Sequence, residues 1–229
     1  MQTIGLIGGM SWESSAAYYE GLNKGAQQRL GGLHSAKVVL VSVDFAELTQ
    51  LQEMERWDDI ATLLVEAAQG AERGGADFIL MCTTAFHFVY DQVVAAVGIP
   101  VLHLADVLAD ACKAAGVTTV GFIGTAFAMQ NDFFAQRLSE RGLDVNMPDE
   151  LHVDTVDSIV YDELVFRKVN PSSRRRIVGI IDELSDAGAQ GVILGASELS
   201  LLVRPEDLEI PIFDVITTHV SAALERALA

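Results

Sequence analysis

Short apolar runs recur along the chain, separated by longer stretches with a helical period. Thr3–Ile7 is apolar and closes on Gly8-Gly9, with a polar helix start following at Ser11 or Ser14. Val38–Val43 is a second apolar run, Phe78–Met81 a third, and Ile99–Leu102 opens a fourth. Between them, Ile60–Gly74 carries apolar residues at helical spacing, and Leu104–Ala115 is apolar on one face and stops at Gly116. Buried strands joined by helical crossovers predict an α/β fold with parallel sheets.

The second half follows the plan of the first. Thr3-Ile4-Gly5-Leu6-Ile7-Gly8 matches Thr119-Val120-Gly121-Phe122-Ile123-Gly124 at an offset of 116. Gly75–Leu80 matches Gly188–Ile193 at 113, and Ile99-Pro100-Val101 matches Ile210-Pro211-Ile212 at 111. Three matches in one order at nearly one offset predict two similar lobes. We place the first at residues 1–98 plus 212–229 and the second at 99–211. A ligand is then expected in a cleft between pseudo-twofold lobes, at the carboxyl ends of the strands.

Composition narrows the function. Half of the 229 residues are hydrophobic, enough to form a core and to exclude disorder. The apolar residues nowhere sustain a spanning helix and the N-terminus lacks a basic leader, so no membrane partner and a cytoplasmic location are expected. With 15 basic against 32 acidic residues, the net charge of −17 argues against nucleic acid. Arg174-Arg175-Arg176, after Asn170-Pro171, reads as the solvated start of a helix. Two cysteines, Cys82 and Cys112, exclude a disulfide scaffold. The five histidines show no ligand spacing, so no metal is expected.

The strand ends carry glycines and hydroxyls. Gly8-Gly9-Met10-Ser11 follows the first strand and Gly124-Thr125-Ala126 its counterpart; neither has dinucleotide or Walker spacing, and both suit a carboxylate or a tight turn equally. Cys82-Thr83-Thr84-Ala85-Phe86-His87 follows the third strand and Gly195-Ala196-Ser197-Glu198 its counterpart. The offset sets Thr83 opposite Ala196 and Thr84 opposite Ser197. His87 is open between orienting backbone and facing solvent, and Glu198 between a base, a helix-start anchor and an ammonium contact. His103 and Asp214, each three residues after a matched proline, are expected near strand ends.

The stretches Ile4–Tyr19, Arg29–Phe45, Cys82–His87, Gly195–Glu198 and Val160–Leu164 together resemble the aspartate/glutamate racemase family, over essentially the whole chain. The resemblance implies two flavodoxin-like lobes, a homodimer and cofactor-independent chemistry on a small dicarboxylic amino acid or related carboxylate. The segment after Pro211 would return to complete the first lobe. In that family one cysteine per lobe flanks the substrate α-carbon, one removing a proton and the other supplying one to the opposite face. Its Cys-Asn-Thr maps onto Thr83-Thr84-Ala85 and its Gly-Cys-Thr-Glu onto Gly195-Ala196-Ser197-Glu198, so both cysteine positions are replaced. Some members carry Thr at the first position, which leaves Ala196 as the anomaly. Alanine cannot transfer a proton, and three readings follow: an engineered substrate-trapping form, a member that binds without racemising, or other cofactor-free chemistry (isomerase, lyase or decarboxylase). Cys82 lies one residue early and is expected to point away. The resemblance also assigns Met10 and Ser11 to backbone contacts, Thr125 to the equivalent turn, and Gln52 to a carboxylate, with Gln50 as rival. Arg167-Lys168 is either a source of positive charge for a dicarboxylate or a solvated pair.

Overall fold

The computed structural model describes residues 1–229. The chain divides into two compact units, Met1–Leu104 with His219–Ala229, and Ala105–Thr218. In the first unit, β1 (Ile4–Gly8), α1 (Trp12–Leu30), β2 (Val38–Ser42), α2 (Phe45–Glu53), α3 (Trp57–Arg73), β3 (Phe78–Met81), α4 (Tyr90–Ala95) and β4 (Val101–Leu102) follow in order. They form a four-stranded sheet, all parallel, ordered β2-β1-β3-β4. Helix α5 (Leu104–Ala114) leads into the second unit, which continues with β5 (Thr119–Ile123), α6 (Ala126–Gln130), α7 (Phe133–Glu140), β6 (Asp144–Asn146), α8 (Glu150–Ser158), α9 (Pro171–Asp186), β7 (Gly191–Leu194) and β8 (Ile212–Asp214). Its sheet is again parallel and four-stranded, ordered β6-β5-β7-β8. Helix α10 (Val215–Leu228) closes the chain.

The internal repeat is a repeat of register. Ile7 pairs with Met81 and Ile123 with Leu194, while Ile79 pairs with Val101 and Val192 with Ile212. Each pair maps onto the other at the offsets read in the sequence. This moves the unit boundaries. Residues 99–104 belong with the first sheet, because β4 pairs with β3, and 212–218 belong with the second, because β8 pairs with β7. A cut at 98/99 and 211/212 severs the last strand of one sheet and hands the other sheet's last strand to the wrong unit.

The inner strands β1, β3, β5 and β7 are short and apolar because both faces are covered. In α3 the residues Ile60, Leu64, Ala67, Ala68 and Ala71 recur at three- and four-residue spacing and pack on Ile7, Ile79 and Met81. Small residues let helix and sheet approach closely: a Cβ at Gly5 would stand 2.9 Å from that of Ala76. Helix α1 starts at Ser11, whose hydroxyl accepts from the Ser14 N–H, and ends at Gly31 with φ +75°. The second core is aromatic, with Phe122 and Phe134 both fully buried and 5.4 Å apart. There Arg137 grips Asp106 with two 2.8 Å bonds, joining α7 to α5.

Buried imidazoles hold the first unit where the chain leaves and returns. The His219 Nε2–H donates to the Leu102 carbonyl at 3.0 Å, so its Nδ1 accepts from the Tyr18 hydroxyl at 3.0 Å. The Leu104 N–H donates to His87 Nε2 at 3.3 Å. Burial, then the neighbouring His87, pushes the His219 pKa down to about 3. No helix is long and apolar enough to cross a membrane.

Candidate active site

Strands β1 and β3 are neighbours in register, so the segments that leave their carboxyl ends emerge side by side. After β1 the chain turns through Gly9 at φ +91°, where a Cβ would run into the Val43 backbone. Only glycine fits that approach. The Gly9 N–H donates to Ser15 Oγ at 2.8 Å, fixing the turn to α1 and holding Met10 and Ser11, both nearly buried, at the strand end. After β3 come Cys82, Thr83, Thr84 and a 3-10 turn over Ala85–Val89. Thr84 and His87 are buried; Thr83 and Ala85 are half-buried. His87 orients backbone, as the acceptor for Leu104, and His103 packs on it with ring centroids 4.7 Å apart. Gln52 lies on α2, which follows β2, and is half-buried, whereas its rival Gln50 is exposed.

The second unit arranges its strand ends likewise. Thr125 caps α6 after β5, and Ala196, Ser197 and Glu198 follow β7, with a 3-10 turn from Ser197 to Leu201. Ala196 is buried in extended backbone, and Ser197 donates to Glu198 Oε2 at 3.0 Å. Asp214 accepts from the Thr217 N–H at 2.7 Å, so it caps α10. Arg167 adopts φ +56° and Lys168 sits 5.2 Å from the centre of the Phe166 ring; both are exposed. Arg174 is not simply solvated: its Nε donates to the Leu202 carbonyl at 2.6 Å.

Thr83 and Ala196 occupy one place in the two units, the second residue beyond the strand. Cys82 occupies the place of Gly195. The Cys82 N–H extends the sheet to the Ile7 carbonyl, as the Gly195 N–H does to Ile123. A Cβ on Gly195 would strike the Phe122 ring, so side chains at this place aim into the core, opposite to those of the next residue. Cys82 is accordingly 1% exposed, and burial drives its thiol far above the ordinary range. Cys112, on α5, is also buried and pushed up to about 12. Neither thiol ionises near neutrality.

Two residues escaped the sequence reading. Asp157, on α8, accepts the Ala126 N–H at 2.6 Å, reaching the β5–α6 turn from 31 positions away. Tyr161, in the π-helical turn Ile159–Glu163, has its hydroxyl pushed up to about 12 by burial and then by the charges of Asp157 and Glu198. The only sequence signal for Tyr161 was its place in Val160–Leu164. Asp157 had none. No group of three His, Cys, Asp or Glu side chains is placed to hold a metal ion.

Residues 7–223 match the family description Asp/Glu/Hydantoin racemase. An Asp/Glu-racemase-assigned protein from Yersinia pestis is 41% identical, with all of both chains covered and a TM-score of 0.95. An aspartate racemase homologue from Pyrococcus horikoshii is 30% identical, again over all of both chains, at 0.90. The aspartate racemase of Picrophilus torridus, 17% identical over 99% of this chain and 94% of its own, shares the fold at 0.77.

Proposed function

This chain belongs to the Asp/Glu/hydantoin racemase family and is a racemase-like isomerase; on that premise we propose that it binds a small dicarboxylic amino acid without cofactor and exchanges its α-proton poorly. The carrying observation is Ala196. At the place where the family resemblance expects the second catalytic thiol, the side chain ends at Cβ, and its partner position holds the hydroxyl of Thr83. Met10, Ser11, Gln52, Thr83, Thr84 and Ala85 from the first unit, and Thr125, Ser197 and Glu198 from the second, are read as the contacts to the ligand. Hydroxyls and backbone N–H groups suit its carboxylates, and the α-carbon is left without a competent base. Cys82 and Cys112 do not fill the gap, since a thiol pushed well up by burial supplies almost no thiolate.

The test pairs two measurements on the chain as it stands. Calorimetry with both enantiomers of aspartate and glutamate should give saturable binding. Nuclear magnetic resonance in heavy water should then show α-proton exchange of the bound ligand close to the protein-free rate. Rapid racemisation would overturn the assignment of residue 196 as the missing base, and no binding of any acidic amino acid would overturn the ligand class. The same reading makes the protein a cytoplasmic homodimer, which sedimentation tests for the oligomer.

A further inference from the structure

The two sheets end in four edge strands, and one of them is unlike the rest. Strand β4 has two residues, and β6 and β8 have three each; β6 is further blunted by Asp144 and Asn146. Strand β2 keeps five residues, Val-Val-Leu-Val-Ser, without glycine, proline or charge. The Lys37 carbonyl accepts from the Ile4 N–H and the Val43 N–H donates to the Gly8 carbonyl, so residues 37, 39, 41 and 43 bond to β1. Val38, Leu40 and Ser42 therefore turn their N–H and C=O groups to the open edge.

The flank of α1 beside this edge is apolar and uncharged. Helix α1 packs on the sheet through Ser15, Tyr18 and Leu22, and its Gly21 and Gly25 face Val220 and Leu224 of α10. Trp12, Ala16, Tyr19 and Asn23 recur at helical spacing on the other flank, toward β2, where Asn23 Oδ1 accepts the Ala36 N–H at 3.2 Å. Leu40 turns to the same face of the sheet, since its Cδ1 lies 2.8 Å from where a Cβ on Gly8 would stand, beside Ser15. Trp12 is 65% exposed, Tyr19 52% and Leu40 44%.

We propose that β2 pairs antiparallel with β2 of a second copy of this chain, across a twofold axis at Leu40, so that two four-stranded sheets become one. The strand is self-complementary in this register. Leu40 meets its own copy and Val38 meets Ser42, so all three outward residues of each chain exchange both backbone bonds. Exposed Lys37 of one copy comes beside exposed Asp44 of the other, which sets opposite charges at each end of the seam. The axis stands perpendicular to the sheet and puts both α1 helices on one face. The two β1 strands are then three strand spacings apart, about 14 Å, and Trp12 and Tyr19 from each copy are large enough to fill the space above. A chain of net charge −17 needs such a balanced, apolar seam to meet its own copy. This rests on the homodimer reading given above, and adds the surface it uses.

Sedimentation and amide hydrogen exchange on the full-length chain and on Leu40→Lys test the seam. The native chain should be a dimer, with the Val38, Leu40 and Ser42 amides at least about a hundredfold slower to exchange than in an open strand. Leu40→Lys apposes two ammonium groups and withdraws apolar area, so its dimer should be weaker by at least about a hundredfold. In that variant the amides of residues 38, 40 and 42 should lose protection while those of Val39 and Val41 keep it, the mark of an intact sheet. Tyr19→Lys should weaken the dimer without altering the strand. The native exchange pattern decides the matter even where a variant fails to fold. A native dimer whose outward amides exchange freely, or a dimer that Leu40→Lys leaves intact, would overturn the seam and leave the homodimer standing. A monomeric native chain would overturn both, leaving the edge to a strand from a different protein.

Discussion

On the proposed reading, replacing Ala196 with Cys supplies the base that the site lacks, and the backbone makes this a clean substitution. The backbone at 196 is extended, φ −112° and ψ 129°, a conformation any side chain adopts, and a Cβ is already present. One residue earlier the outcome would differ, since a side chain on Gly195 would meet the Phe122 ring. Ala196 is 6% exposed, so a thiol there is shielded from bulk water. A positioned general base is worth roughly 10²- to 10⁴-fold in rate, or about 3–5 kcal/mol of barrier. The existing thiols cannot mask such a gain. Cys112, pushed up to about 12, is ionised to roughly one part in 10⁴ at pH 8.

Two readouts separate the steps. Removal and return of the α-proton on the side of residue 196 appears as exchange in heavy water, whereas inversion needs proton delivery to the opposite face. If Thr83 serves that face, as the family resemblance implies, Ala196→Cys should raise exchange by at least about a hundredfold and racemisation, followed by circular dichroism, by less. Adding Thr83→Cys should bring the second rate up to the first. The control Ala196→Ser supplies a hydroxyl of similar size and should leave exchange at the native level. Full-strength ligand binding with no rise in exchange in Ala196→Cys would refute the reasoning, because it would show that residue 196 does not face the α-carbon.

Two further predictions concern the frame of the site. His219 is neutral when folded, with its pKa lowered to about 3, so its contribution to stability is complete above the unfolded value of 6.5 and is lost as pH falls from there toward 3. The free energy of unfolding, read from urea titrations at each pH, should decline over that window by up to roughly 1.4 kcal/mol per pH unit from this group, and His219→Gln should flatten the decline while lowering the plateau; an unchanged slope would refute the assignment. Gly9→Ala forces a side chain into a left-handed conformation and against Val43. It should cost at least about 2 kcal/mol, visible as a fall of roughly 5 °C or more in melting temperature, and should abolish ligand binding through the displaced Met10 and Ser11.

What the sequence revealed follows from the range of the interactions involved. The inner strands were legible because a sheet covered on both faces demands uninterrupted apolar runs, whereas the polar edge strand β6 was not, and the repeat was legible because paired strands in both units keep the same register. Helix α2 was not, since its short amphipathic stretch buries only Leu48 completely and carries little periodic signal. The boundaries went astray because a match such as Ile99-Pro100-Val101 identifies a strand but not the sheet it joins; that is decided by pairing across more than 20 residues, Ile79 with Val101. Positions fixed by local rules could be read from sequence: a helix start at Ser11 or Ser14, Thr125 at the equivalent turn, and Thr83 and Ala196 just past their strands. Residues acting over distance were not. Asp157 meets Ala126 from 31 positions away and His219 meets Tyr18 from 201, and neither carries a motif. The repeat itself hid Asp157. Aligning two turns by their glycines and hydroxyls makes them look chemically alike, and the charge that distinguishes them comes from α8, an element that lies outside the matched segments.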